Sequence, residues 1–421
     1  MTLHHLQETP DCTCDDAEPG LVAFETAVRR GLDLCEPLRE TETLALEAAL
    51  GRVLAEPVRA HAPMPPFDSA AMDGYALRRA DLSGPGPWDL PVAGRIVAGE
   101  AVPRPLQAGQ ALQLFTGAPL PSGCDAVVAQ ERVARAGGRI RVATRPEPDL
   151  NIRRAGEDAG AGAEILPAGR PIGAVEATAI AAAGHARVQV FRPLRVAVLC
   201  TGSELRAAGE PLAPGAIWNT NGVQLRAALQ VPWITLTGVE TVADCPDRLR
   251  TALRGAAQQA DLVVSTGGVS VGEEDHVPAA LRSAGGRIAV SGVAMKPGKP
   301  LMLGRLGQAV HVGLPGNPIA ALIAWNVLGA RLAARLGGQG ECAPARCFVR
   351  ATAPVTRKAG RCEFRPAVLT GYAADGLASV TLLAGAFSHR AALLTLADGL
   401  ALIPADTDEV RPGDLLEFLR L

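Results

Sequence analysis

Apolar positions follow different rhythms in different stretches of this chain. Between residues 21 and 54 they recur at helical spacing, with Val22, Ala27 and Leu32 marking one segment and Leu44, Leu46, Ala49 and Leu50 a second. Over 77–148 the pattern breaks into short runs between Gly and Pro turns (RIVAGE, ALQLFTG, DAVVAQERV, RIRVAT), which predicts a small β domain. Ala-rich helical character returns over 164–183. The helical stretches on either side of the β segment predict one split, mostly helical N-terminal domain, 21–62 with 149–192, interrupted by a β insertion at 63–148. The polar, acidic residues 1–20, closed by Pro19 and Gly20, read as a disordered tail.

From Pro193 the pattern changes to alternating strands and helices. Val196 to Leu199 is an apolar strand, and Leu225 and Leu229 mark one helix face. The strand 234–242 ends at Asp244, and Pro246 opens a helix at a position where its missing N–H costs nothing. A strand over 310–312 turns through GLPGNP (313–318) into a long helix, with Asn317 suited to the cap and Pro318 to the first turn. This predicts a doubly wound parallel α/β domain over 193–337. Short strands then return (CFVRATA, SVTLLA, GLALIPA, DLLEFLRL), so 338–421 should form a C-terminal β barrel or sandwich. The fold class expected is multidomain, α/β plus β.

Composition narrows the picture modestly. A chain of 421 residues is too long for one core, and 48 % apolar content with only 3 % aromatics leaves Ala, Leu and Val to fill several. A net charge of −2 argues against a nucleic-acid partner. Nine cysteines, odd in number and scattered, suit a reduced compartment, and the Cys12/Cys14 pair with His4 and His5 upstream reads as part of the solvated tail. The N-terminus has neither a basic nor an apolar signal region, and no uncharged apolar run reaches spanning length. The expectation is a soluble, cytoplasmic protein without membrane contact.

Candidate chemistry collects at strand ends. In DLVVSTGGVSVGEED (261–275), Leu262, Val263, Val264 and Ser265 predict a strand buried on both faces, and Thr266, Gly267 and Gly268 let the backbone turn at once. Ser270, Gly272 and the acids Glu273, Glu274 and Asp275 follow. A second strand end carries Thr201, Gly202, Ser203 and Glu204, and a third Asp244. Parallel strands would bring these ends to one edge, where open α/β sheets bind ligands. Such turns can offer donors to phosphate. Glu204, Asp244 and Asp275 are oxygen ligands for a hard cation such as Mg²⁺, shared with that phosphate. Lys296 and Lys299 in MKPGKP add charge for an oxyanion. Singly, each has a plainer reading: Gly-Gly as a tight turn, the acids as a helix start, Asp68 and Asp73 of PPFDSAAMDGYA (65–76) as turn residues, NIRRAGED (151–158) as surface ion pairs. The seven histidines show no ligand spacing, and no Ser/His/Asp arrangement is apparent. Together the residues point to a Mg²⁺-dependent site for a phosphorylated substrate and leave its organic part open.

Motifs in a fixed order identify a resemblance. FDSAAMDGYA (67–76), TGAPLPSGCDAVV (116–128), NIRRAGED, TGSEL (201–205), STGGVSVGEED (265–275), MKPGKP (295–300) and GLPGNP make the chain, over about 21–421, similar to the MoeA / gephyrin E-domain family of molybdopterin molybdenumtransferases. The resemblance implies a MoaB/MogA-like central domain. It also implies a homodimer whose active site lies between the α/β domain of one subunit and the β insertion of the other. The implied reaction takes adenylylated molybdopterin and molybdate, with Mg²⁺, to molybdenum cofactor and AMP. Asp68 and Thr116 would face the site from the partner subunit, with Arg153 and Asp158 supporting the junction. Glu204, Asp244 and Asp275 would serve metal and phosphate, Lys296 and Lys299 would attract molybdate, and Pro315 and Pro318 would shape the pocket wall. Arg361, in GRCEF (360–364), and Ser388, in GAFSH (385–389), would be further oxyanion contacts. Transient contact with molybdopterin adenylyltransferase and with molybdoenzymes is also implied.

Three positions depart from the family pattern. Gly292 stands where a basic residue is frequent, Asn219 replaces a helix-opening acid, and GAFSH replaces a Gly-Ser start. Two alternatives stay open: a molybdopterin adenylyltransferase, which the α/β domain alone resembles, and a non-catalytic gephyrin-like scaffold. The β insertion and the C-terminal β domain favour the insertion step over the first, and the complete carboxylate set favours catalysis over the second.

Overall fold

The computed structural model describes residues 20–101, 105–270, 275–340, 347–383 and 391–421. At its centre is a six-stranded sheet made of β1 (Leu194–Thr201), β2 (Ile234–Val242), β3 (Leu262–Thr266), β4 (Arg287–Ser291), β5 (Met302–Leu306) and β6 (Ala309–Leu314), in spatial order β2-β1-β3-β6-β5-β4. β2, β1, β3 and β6 run parallel, whereas β5 is antiparallel to both β6 and β4. The all-parallel sheet expected from the sequence is therefore mixed. Only Gly307 and Gln308 separate β5 from β6. Such a link closes a hairpin, while a parallel crossover needs roughly a dozen residues.

The sheet is covered on both faces, and its strand residues sort by parity. Val196, Val198 and Cys200 of β1, with Val264 and Val312, pack against Leu225 of helix α1 (Thr220–Ala228) and Ile319 and Ile323 of a later helix (Pro318–Ala324). The alternate residues Ala197, Leu199 and Val263 pack on Leu249 and Leu253 of α2 (Pro246–Gln259) and Leu281 of α3 (Val277–Ser283). The later helix, α4, continues through a π turn (Trp325–Gly329) into α5 (Ala330–Leu336). By length and composition, Pro318–Leu336 is the one helix among the described residues suited to span a membrane. Here Ile319, Ile323, Leu328 and Leu332 are wholly enclosed in the domain core.

The helical character expected before residue 63 divides in two. Phe24–Asp33 is a helix, yet it packs on the α/β domain: Phe24, Ala27 and Val28 join that core, and Phe24 meets Phe364 edge-on with ring centroids 5.0 Å apart. The second segment is a strand, Thr41–Ala45, paired with Arg187–Phe191, followed by a single 3-10 turn at Leu46–Ala49. Thr41 and Thr43 alternate with Glu42 and Leu44, a period of two that suits a strand. The helix expected over 164–183 is confined to Ala174–Ala182, with Glu164–Leu166 forming a strand. The split unit is thus a set of two-stranded ribbons around one helix, not a mostly helical domain.

The β insertion carries a six-stranded sheet from Gly74–Leu77 to Arg139–Val142. At the C-terminus, Cys347–Ala351, Cys362–Tyr372, Ala378–Leu382, Gly399–Ile403 and Leu415–Arg420 close into a five-stranded barrel.

An ion cluster ties the split unit to the α/β domain at the edge opposite the candidate site. Asp261, just before β3, accepts hydrogen bonds from Arg192 at 2.7 and 3.0 Å and from the Arg195 amide and guanidinium, each at 2.9 Å. Burial works to raise the Asp261 carboxyl, but these bonds outweigh it and hold the group down at about 2.

Within the sheet, His311 of β6 is buried and its Nε2 lies 3.1 Å from the Ser265 hydroxyl of β3. Burial pushes the imidazole down to about 4, so it is neutral in the folded protein. An unfolded histidine titrates near 6.5 (about that value). Between the two, the unfolded chain takes up a proton that the folded chain refuses, so stability falls as the pH drops from about 6.5 to about 4 and levels off below. The loss amounts to about 3 kcal/mol. Urea midpoints measured from pH 7.5 to 4 should show this step in the wild type and lack it in His311→Gln. Equal slopes would mean that His311 is not its source.

Candidate functional site

Register places the strand ends together. Thr201 at the end of β1 pairs with Val242 of β2, Cys200 pairs with Thr266 of β3, and Thr266 pairs with Leu314 of β6. The turns after these strands are cross-linked. The Ser203 amide donates to Asp244 Oδ2 at 2.8 Å, and the Asp244 amide donates back to Ser203 Oγ at 3.1 Å. Gly202 N donates to Val242 O at 3.0 Å, and Gly267 N to Leu314 O at 3.1 Å. The Thr201 hydroxyl donates to Thr266 O at 3.2 Å. A Cβ on Gly267, whose φ is +85°, would sit 2.8 Å from Thr201 O, so this turn requires glycine.

These contacts refine the roles expected from sequence. The amides of Gly202, Ser203 and Gly267 are engaged within the protein and brace the turns. Ser265 and Thr266 are buried, and the Ser265 hydroxyl meets His311 within the sheet. Gly268 turns at φ +62° and Ser270 is exposed. The Glu204 carboxylate folds back toward Gly202, whose added Cβ would meet Glu204 Oε2 at 2.7 Å.

Asn219 and Asn221 add to the edge. Asn219 accepts from Gly222 N at 2.9 Å and caps α1, a job its carboxamide does as well as an acid. Asn221 was not singled out in the sequence. It is buried, and its Nδ2 donates to Gly316 O at 2.8 Å, fixing the turn that carries Pro315 and Pro318. Its signal was the Asn-Thr-Asn run at a helix start, where one Asn caps and the other can face inward.

Met302 at the start of antiparallel β5 pairs with Gly313 near the end of β6, so the MKPGKP turn just before it reaches the same edge. Lys296 and Lys299 are half-buried there. The strand Met295–Lys296 pairs with Cys362–Glu363, which brings Arg361 of the barrel to this turn. Gly292 adopts φ +79°, a backbone conformation that favours glycine over a residue with a side chain. Ser388, Glu273 and Glu274 lie outside the described residues.

A second cluster forms in and beside the β insertion. Asp73 accepts from Thr116 N and Thr116 Oγ1, both at 2.8 Å. The Asp68 carboxylate accepts from Ala155 N at 2.8 Å and from the Arg154 guanidinium, which also bridges to Asp149. These contacts, led by the Ala155 amide, hold the Asp68 carboxyl below its ordinary range. Arg154 is thus the cation that meets Asp68. Arg153, which the resemblance places at the subunit junction, is exposed and pairs through its backbone with Ser69, while the Asp158 amide donates to Met64 O at 2.9 Å. The motifs at 67–76, 116–128 and 151–158 converge on one another.

Among the described residues, no three His, Cys, Asp or Glu side chains gather closely enough to hold a metal ion. Glu204, Asp244 and Asp275 therefore do not form an all-protein cage. Asp244 also has one oxygen occupied by the Ser203 amide. A hard cation held by these oxygen donors would need substrate oxygens to complete its shell.

Three family regions match the chain: the MoeA N-terminal region (domain I and II) over 22–184, a "Probable molybdopterin binding domain" over 197–334, and the MoeA C-terminal region (domain IV) over 349–421. A Haemophilus influenzae protein named molybdopterin molybdenumtransferase is 37% identical, covering 77% of this chain and 80% of its own length. Molybdopterin molybdenumtransferase 2 of Mycobacterium tuberculosis is 38% identical over 91% of this chain and 95% of its own. The crystal structure of a molybdopterin biosynthesis MoeA protein from Pyrococcus horikoshii superposes with a TM-score of 0.81 at 26% identity, covering 95% of this chain and 100% of that one.

Replacing Arg154 by Gln removes one of the contacts that depress Asp68. Its carboxyl should then titrate closer to an ordinary aspartate, while the Ala155 amide keeps part of the shift. An NMR titration of the Asp68 carboxyl carbon in both proteins reads this directly, and an unchanged midpoint would assign the whole effect to the amide.

Proposed function

The chain belongs to the MoeA family of molybdopterin molybdenumtransferases, and on that premise we propose that it inserts molybdate into adenylylated molybdopterin with release of AMP. One observation carries this reading. The parallel strands deliver 201–204, Asp244, 266–270 and 313–318 to a single edge, beside a turn bearing two lysines, in a chain that carries all three family regions.

On this reading the pterin and its phosphates lie across the strand ends, where Gly268 and Ser270 line the approach and Pro315 and Pro318 wall one side. Lys296 and Lys299 supply fixed cations to the molybdate oxygens, and Arg361 adds a planar donor set. Asp244, with Glu204 and Asp275, would hold Mg²⁺ together with the substrate phosphate. When bound, the cation supplies neutralisation of charge at the breaking anhydride. Holding both substrates side by side makes transfer effectively intramolecular.

The cluster around Asp68 and Thr116 completes the site from a second copy of the chain. Exposed apolar residues flank both parts, which supports such a docking: Phe67 and Met72 on the Asp68 loop, Ile217, Trp218 and Val223 beside the α/β edge.

AMP release from adenylylated molybdopterin should require both molybdate and Mg²⁺. Asp244→Asn should slow it by roughly tenfold to a hundredfold, because the loss touches both the metal carboxylate and the partner of Ser203. Release of AMP without molybdate dependence, or adenylylation of free molybdopterin from ATP, would reject the insertion step.

A further inference from the structure

The proposed site draws its anion-binding cations from two domains, and a buried charge cluster stands where those domains meet. We propose that Glu363 is a positioning residue for the oxyanion, holding the strand segment that carries Lys296 and Arg361 in a fixed register. The inference rests on the transferase reading and adds a residue to it.

Cross-strand partners share a face of a sheet. Glu363 pairs with Ile403 and Arg365 with Ala401, and both partners belong to the barrel core. Glu363 and Arg365 therefore point into the barrel, while the alternate residues Cys362 and Phe364 face the α/β core. A carboxylate so placed is costly unless it is paired. Arg365 Nε donates to Glu363 Oε1 at 2.8 Å, and its Nη2 lies 2.6 Å from the same oxygen. Arg357 Nη1 lies 3.6 Å from Glu363 Oε2, an atom that accepts no hydrogen bond. All three side chains are at most 13% exposed.

Arg357 spends its N–H groups on carbonyls: Thr407 at 2.8 Å, Pro404 at 3.2 Å, Ala405 at 3.3 Å and Arg361 at 2.7 Å. It thereby fixes the backbone of Arg361 itself. On the outer edge of the same segment, Met295 and Lys296 pair in parallel with Cys362 and Glu363, and Cys362 N donates to Ala294 O at 2.9 Å. Lys296 and Arg361 are thus both referenced to residues 361–363, whose inward anchor is Glu363. Without its charge, Arg357 and Arg365 lose the carboxylate that lies beside both of them, and the segment loses that anchor. Both anion contacts then shift together.

The test is steady-state AMP release as a function of molybdate, with the full chain. Glu363→Gln should raise the half-saturating molybdate concentration about tenfold while changing kcat by less than about twofold, and Glu363→Asp should restore much of the loss. Val380→Ala, a buried barrel-core change away from the cluster, is the control for lost barrel stability. Melting temperatures accompany each variant, and should Glu363→Gln fail to fold, Glu363→Asp carries the comparison with a smaller rise expected. An unchanged molybdate dependence in a folded Glu363 variant overturns the inference, as does an equal rise in Val380→Ala. Absence of turnover in the wild type overturns the transferase reading and this inference with it. Wild-type turnover with unaltered variants removes only the role of Glu363.

Discussion

The parallel register of β1, β2, β3 and β6 is the constraint on which the rest of this structure depends. Parallel neighbours must all end on one edge, so turns far apart in sequence meet there, where bonds such as those between Ser203 and Asp244 cross-link them. Burial of both faces enforces the register: a slip of one residue would move Val196, Val198 and Cys200 onto the face now held by Ala197 and Leu199. The packing that stabilises the domain is therefore also what assembles the proposed site. The antiparallel β5–β6 hairpin adds to this, because it returns the chain to the same edge and delivers the lysine turn.

Much of this was legible in the sequence, and what was not has identifiable physical causes. The α/β alternation was clear because Leu249 and Leu253, or Ile319 and Ile323, keep helical spacing beside short apolar strands. Residues 41–50 misled because Leu44, Leu46, Ala49 and Leu50 fit a helical spacing over so short a window. Only pairing with Arg187–Phe191 decides the matter, and that pairing is not local. The β5 reversal depended on a two-residue link whose meaning rests on which strand lies next door.

The motifs of the candidate site were legible in the sequence, and the hydrogen-bond partners within them less so. Adjacent residues on a ribbon face opposite ways, and spacing alone does not say which of Arg153 and Arg154 meets Asp68; the backbone pairing of Arg153 with Ser69 does. Likewise, the Thr-Gly-Ser turn after β1 and the Thr-Gly-Gly turn after β3 suggest phosphate donors in sequence, yet three of their amides already bond to neighbouring strand ends or to Asp244. Asn221 gave little sign of itself because its bond to Gly316 spans 95 positions.

Those internal bonds explain how the site can be both charged and ordered. Lysine and arginine side chains have many rotamers, and fixing them costs entropy. A site that relied on them alone would be loose. Here several candidate groups rest on a partner one layer back: Thr116 on Asp73, Asp68 on Arg154 and the Ala155 amide, Asp244 on Ser203, the backbone of the 313–318 turn on Asn221, and the backbone of Arg361 on Arg357. The turns spend their amides on rigidity, and the charges come from side chains whose backbone is held. Binding energy is then less consumed in ordering the protein, which on the proposed reading leaves more of it for aligning two anionic substrates that would otherwise repel each other.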